Sequence, residues 1–163
     1  MKLLERSTGS QLDAVIERVT DKELSQVYKD RKRFPCFDWR KYKGQVVYKI
    51  RLVSSTEILG LMCIADHPGN NAIEIELLEA AHEHRGREKL MDWIAGCLIA
   101  FACRESFKMG YDGVVFLIPK TKLIEHYQKY GFIHIPFRTI NRPDGFMVME
   151  QQQSDHIIHE FLE

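Results

Sequence analysis

Residues 113–132, GVVFLIPKTKLIEHYQKYGF, spell a strand, a short helix and a second strand in one continuous stretch. Gly113 to Ile118 is an unbroken apolar run, partly β-branched, as expected of a strand covered on both faces. Pro119 stops it, because proline has no backbone donor to offer a ladder. Leu123, Ile124, Tyr127 and Tyr130 then recur at helical spacing. Gly131 supplies the left-handed residue that ends a helix, and Phe132-Ile133-His134-Ile135 begins another strand.

Upstream, Trp93 to Phe107 is long and apolar nearly all round and ends near Gly110, which predicts a buried central helix fed by the polar loop Ala81 to Asp92. A helical crossover of this kind makes the strand at 113–118 parallel to the one at 72–80. Gln45 to Val53 and Ile58 to Ala65 read as antiparallel strands joined by Ser54-Ser55-Thr56-Glu57, and His67-Pro68-Gly69-Asn70-Asn71 is a second turn. Nearer the N-terminus, residues 2–7 predict a first edge strand. Ser10 is placed to cap a helix carrying Leu12, Val15, Ile16 and Val19. Thr20-Asp21-Lys22-Glu23 is a capping box for a second helix reaching about Arg33 and ended by Phe34-Pro35. Phe132 to Phe137 and Gly145 to Gln151 form a closing hairpin, followed by a last helix from Ser154 to Leu162. The expected class is α/β (α+β), with a mixed, mostly antiparallel sheet of about six to seven strands flanked by helices.

The length of 163 residues and 45% hydrophobic content suit one domain, 1–163, with a real core. Lys plus Arg equals Asp plus Glu at 23 each, so no global field selects nucleic acid or an anionic membrane. A local patch exists nonetheless: Lys29 to Lys43 holds seven Lys or Arg against two Asp, interleaved with Phe34, Phe37, Trp39 and Tyr42. The N-terminus turns charged before an apolar signal core forms. The uncharged apolar run Trp93 to Cys103 is far shorter than the roughly 20 residues of a membrane span, so a cytoplasmic protein is expected. Cys36, Cys63, Cys97 and Cys103 form no Cys-x-x-Cys pair, which suits reduced thiols. His82-x-His84 and His156-x-x-His159 lack a recognisable third ligand, and no metal is expected.

The order of these elements resembles the GNAT (Gcn5-related N-acetyltransferase) superfamily from about residue 3 to 151, and Tyr127-Gln128-Lys129-Tyr130-Gly131-Phe132 resembles its fourth helix. Ala100-Phe101-Ala102-Cys103 and Thr121 to Tyr127 also resemble a set of bacterial GNAT-like proteins with no agreed substrate. The resemblance implies a parallel strand pair that splays apart and acetyl-CoA as acyl donor. The pantetheine arm would lie on the backbone of Leu77, Leu78 and Glu79, and the pyrophosphate on the start of the central helix, at Ile94, Ala95 and Gly96. The family's phosphate loop, Arg/Gln-x-x-Gly-x-Gly/Ala, falls on Leu90-Met91-Asp92-Trp93-Ile94-Ala95. Here Leu90 replaces the polar first residue and Trp93 the glycine. A second register begins at Arg85-Gly86-Arg87-Glu88. In either case Arg85, Arg87 and Lys89 can supply positive charge to the phosphates, as can His84.

The same resemblance makes Tyr127 the general acid for the departing thiolate. Strand alternation puts Glu74 and Glu76 on one face, and the resemblance makes Glu76 the candidate base, with His134 and Glu79 in reserve. The implied activity is direct acetyl transfer to a primary amine of a small-molecule or protein acceptor. The alternative from another class is a GNAT-fold protein without catalysis that binds or senses acyl-CoA. A third reading, a toxin acetylating aminoacyl-tRNA, would use the Lys29–Lys43 segment, against which the balanced charge weighs. No membrane partner is expected, and a homodimer is left open.

Overall fold

The computed structural model describes residues 1–119 and 123–163. Lys120, Thr121 and Lys122 lie outside the described residues, and with them the first two positions of the motif leading to Tyr127. The strands are β1 (Lys2–Glu5), β2 (Gln11–Arg18), β3 (Val46–Leu52), β4 (Gly60–His67), β5 (Ala72–Ala80), β6 (Met91–Asp92), β7 (Val115–Leu117), β8 (Ile133–Ile135) and β9 (Phe146–Met149). The helices are α1 (Asp21–Lys29), α2 (Ile94–Lys108), α3 (Ile124–Gln128) and α4 (Gln151–Leu162). Among the described residues the strands form one mixed sheet of nine, in the order β6-β1-β2-β3-β4-β5-β7-β9-β8. That exceeds the expected six to seven. The chain divides into two compact units, residues 1–64 with 77–98, and residues 65–76 with 99–163.

The first unit corrects one prediction outright: residues 11–18 are β2, a strand and not a helix. Gly9, at φ 72°, closes a tight turn in which its N–H meets Glu5 O at 2.9 Å and Glu5 N–H meets Ser10 O at 2.9 Å. This hairpin sets Leu3 against Leu12, and β3 covers the other edge from Ala14↔Leu52 to Arg18↔Tyr48. With both edges paired, backbone hydrogen bonding is satisfied in an extended chain, and the β-branched Val15 and Ile16 prefer it. Nor is β1 an edge strand, since β6 pairs with it at Leu4↔Asp92 and Glu5↔Met91. The capping box forms as read: Glu23 N–H donates to Thr20 Oγ1, and Thr20 N–H donates to Glu23 Oε1, each at 3.2 Å. The helix it opens stops at Lys29, short of Arg33, where Asp30 N–H turns back to Gln26 O and Val27 O. Leu24, Val27, Phe34, Trp39, Val47, Leu61 and Leu77 pack as this unit's core.

In the second unit β7 lies parallel to β5, as the crossover requires, with Ile73↔Val115 and Glu74↔Phe116 as the ladder. β9 covers its other edge and β8 completes the hairpin. β7 is shorter than read because Asp112 and Gly113 both have positive φ, 53° and 76°, and turn the chain just before it. A Cβ on Gly113 would sit 2.5 Å from the Phe107 ring, so that glycine is required for space as well as for conformation. α4 begins earlier than predicted, which brings the buried Ser154 hydroxyl to donate to Gly113 O at 2.5 Å.

Candidate active site

The C-terminal half of β5 presents Leu77 and Glu79 inward and leaves Leu78 half-buried. Glu79 is 3% exposed, and its carboxylate is fully engaged. Oε1 accepts from Trp39 Nε1 at 2.8 Å and Oε2 from Cys36 N–H at 2.8 Å, which clasps the segment after α1 to the strand. Its side chain is therefore structural and unsuited to the reserve role of base. Of the basic segment, two aromatic anchors are built inward while Lys29, Arg31, Lys32, Arg40, Lys41 and Lys43 are exposed. Phe34 and Trp39 are core residues, Arg33 donates to Glu83 and Glu57, and Arg40 pairs with Asp38 while lying over the Tyr28 ring. Phe34 and Trp39, buried in this way, offer no stacking face to a nucleobase, while Phe37 and Tyr42 are half-buried.

In the loop after β5, His84 is buried and its Nδ1 accepts from Met91 N–H at 3.2 Å. The ring hydrogen is thereby on Nε2, which lies 3.7 Å from Glu83 Oε1, and burial lowers the imidazole pKa. Glu57, Glu83 and His84 cluster closely enough to suggest metal ligands. They do not fit one: Arg33 already bridges both carboxylates, and the only lone pair of the ring faces a backbone donor. Of the three basic residues assigned to phosphate, Arg85 is engaged by Cys36 Sγ at 2.9 Å and His82 Nδ1 at 3.3 Å. Lys89 pairs with Asp92 at 3.1 Å. Arg87 is exposed and has no ion-pair partner among the described residues.

The start of α2 favours one of the two loop registers. The helix opens at Ile94 and its first internal bond runs from Cys97 N–H to Trp93 O at 2.9 Å, so Ile94, Ala95 and Gly96 have no helical acceptor for their N–H groups. Trp93 stands at φ 75°, a left-handed conformation that favours glycine. Asp92 complicates this cradle. Burial pushes its carboxyl pKa up, but the Trp93 N–H, Lys89 and Arg6 more than offset that and hold it charged beside the helix start. Trp93→Gly removes about 1 kcal/mol of backbone strain and opens the approach to the N–H groups. We expect calorimetry to give CoA binding roughly tenfold tighter, about 1.4 kcal/mol. Weaker binding by a folded variant would show that the indole itself contacts the cofactor.

In the second unit, Glu74 and Glu76 share one half-buried face of β5, as the alternation predicts, while Ile73 and Ile75 are buried. Tyr127 is on α3, half-buried, with its ring edge-on to Phe132 at 5.9 Å and to His126 at 5.5 Å. Burial raises its phenol pKa, which keeps the proton an acid must donate. His134 Nε2 meets Asp144 O at 2.7 Å and so braces the β8–β9 hairpin. One pair escaped the sequence reading: His67 Nε2 lies 2.9 Å from Glu74 Oε1. The two residues flank the predicted turn at His67 to Asn71, and a histidine and a glutamate on either side of that turn are the signal in the sequence.

No family model and no curated protein matches the chain. Solved structures do. A spermidine N-acetyltransferase chimera of Vibrio cholerae SpeG and hSSAT superposes with TM-score 0.61 at 14% identity, over 87% of this chain and 98% of that one. The chain's fold is the GNAT fold. Aminoglycoside acetyltransferase AAC(6')-Ib in complex with coenzyme A and kanamycin gives 0.60 at 16% identity, over 88% and 98%. AtaT complexed with acetyl-methionyl-tRNAfMet gives 0.57 at 13%, over 89% and 99%. The parallel β5–β7 pair, the helix α2 between them and the β8–β9 hairpin are this chain's version of the GNAT fold. Among the described residues, no helix is long and apolar enough to cross a membrane.

Proposed function

We propose that this protein is an acetyl-CoA-dependent N-acetyltransferase that moves the acetyl group directly to a primary amine. The observation that carries the proposal is the short parallel ladder. β7 pairs with β5 only at Ile73 and Glu74 among the described residues, while β5 runs on to Ala80 and leads through a loop to the start of α2. The backbone of Leu77, Leu78 and Glu79 would hold the pantetheine amides. The N–H groups of Ile94, Ala95 and Gly96, at the positive end of α2, would receive the diphosphate. Arg87 is the charge best placed to assist them. Tyr127 would protonate the thiolate as the amine displaces it.

The solved relatives are named with spermidine, kanamycin and an acetylated methionyl-tRNA, so the first two are the acceptors to try first. Calorimetry is expected to give a CoA dissociation constant between micromolar and hundreds of micromolar, about 5 to 8 kcal/mol. Mass spectrometry is then expected to find an acetylated amine after incubation with acetyl-CoA. No heat at millimolar CoA would refute the reading. Binding with no product across a broad amine panel would identify an acyl-CoA sensor instead. For the phosphate contact, Arg87→Gln should weaken CoA by roughly threefold to tenfold and leave phosphate-free pantetheine unchanged. Equal weakening of both ligands would remove Arg87 from the site.

A further inference from the structure

The last rung of the parallel ladder is Glu74↔Phe116, and a histidine is anchored at that rung. His67, the final residue of β4, places Nε2 2.9 Å from Glu74 Oε1, and its ring meets the Phe116 ring edge-on with centroids 5.2 Å apart. The carboxylate is well sheltered, at 13% side-chain exposure, while the imidazole is open at 37%. A carboxylate can only accept, so Nε2 carries the hydrogen and Nδ1 keeps the lone pair. Nδ1 has no partner among the described residues. The neighbouring Asp66 is occupied separately, accepting from Tyr111 Oη at 2.7 Å.

An imidazole fixed at one nitrogen by a sheltered carboxylate, set edge-on to an aromatic ring and open at the other nitrogen is a built proton acceptor. We propose that His67 is the general base of the acetyl transfer and that Glu74 is its positioning residue. This rests on the transferase reading above and displaces Glu76, which sits two residues further along the same face of β5, about 7 Å away. At neutral pH an imidazole accepts a proton from an ammonium more readily than a carboxylate does. In the step, Nδ1 takes a proton from the substrate ammonium and the freed nitrogen lone pair attacks the thioester carbonyl. The C–N bond forms and the C–S bond breaks. The imidazolium gives this first proton to solvent, and the ring takes the second from the attacking nitrogen as the intermediate collapses. The sulfur takes a proton from Tyr127, and the second imidazolium proton returns through water to the phenolate. Nothing is oxidised or reduced, and one proton is released per amide formed.

The competing role for this pair is structural, since it also closes the β4–β5 hairpin. His67→Gln separates the two. The glutamine amide can still donate to Glu74 and hold the turn, but it has no basic lone pair. With acetyl-CoA and spermidine or kanamycin, whichever the parent acetylates, His67→Gln and His67→Ala should both lose about 100-fold in kcat. Their melting temperature and CoA affinity should stay near parental. Added imidazole should restore at least tenfold to His67→Ala and nothing to His67→Gln, whose side chain fills the space. Glu74→Gln should lose roughly tenfold and regain nothing with imidazole. Turnover of His67→Gln within threefold of the parent would overturn the proposal, as would a loss in His67→Ala that tracks its melting temperature and ignores imidazole. A parent that binds acetyl-CoA but acetylates no amine refutes the transferase reading and this proposal together. A parent that acetylates while His67→Gln keeps its rate refutes this proposal alone.

Discussion

Tyr127→Phe is expected to slow acetyl transfer by roughly 100-fold to 10,000-fold, the usual worth of a positioned acid. The substitution removes one proton and little volume. The ring contacts to Phe132 and His126 survive it, so melting temperature and CoA affinity should hold. Burial raises the phenol pKa above its ordinary value, which keeps the acid form populated throughout neutral and mildly alkaline solution. The parent should therefore show no fall in turnover from this group between pH 7 and 9. The measurement is steady-state turnover of both proteins with the acceptor found for the parent, beside their calorimetric CoA affinity. A variant within about threefold of the parent would make Tyr127 a packing residue.

The largest stability effect is expected at Glu79. Glu79→Ala strands two donors, the Trp39 indole and the Cys36 amide, in a site where the carboxylate is 3% exposed. Losing a buried, doubly hydrogen-bonded carboxylate should cost about 3 to 5 kcal/mol. For a chain of this size that lowers the melting temperature by roughly 6 to 20 °C. Glu79→Gln should fall between the parent and the alanine variant, because its amide oxygen satisfies one donor while its NH2 faces the other. Thermal unfolding decides it. A glutamine variant as stable as the parent would mean that the clasp contributes nothing.

The sequence displays those parts of the fold whose cause is local. The Thr20 capping box, the β5 alternation and the turn at His67 to Asn71 each depend on residues within one turn or hairpin, and each is present as read. β2 has the sequence of a helix as much as of a strand, because Leu12, Val15, Ile16 and Val19 match a helical stripe. The hairpin at Gly9 and the distant partner β3 decide between them. β6 is invisible in the sequence, being two residues long and defined by a partner at the start of the chain, far from it in the numbering. In the candidate site, the residues carried by the family resemblance occupy the elements assigned to them. The side-chain partners that reassign Glu79, Arg85 and Lys89 lie across turns or between segments, where spacing along the chain gives no sign of them.

The chain contains two tryptophans, and their surroundings differ. Trp39 is 1% exposed with its indole N–H fixed on Glu79, while Trp93 is half-buried just before α2. Intrinsic fluorescence should therefore resolve into two bands without any label. Trp39 contributes blue-shifted emission that reports the integrity of the clasp. Trp93 contributes a redder component that acrylamide quenches and that changes when anything settles on the helix start. Red-edge excitation of the native chain during a ligand titration thus reads occupancy, and blue emission during heating reads unfolding, from the same cuvette.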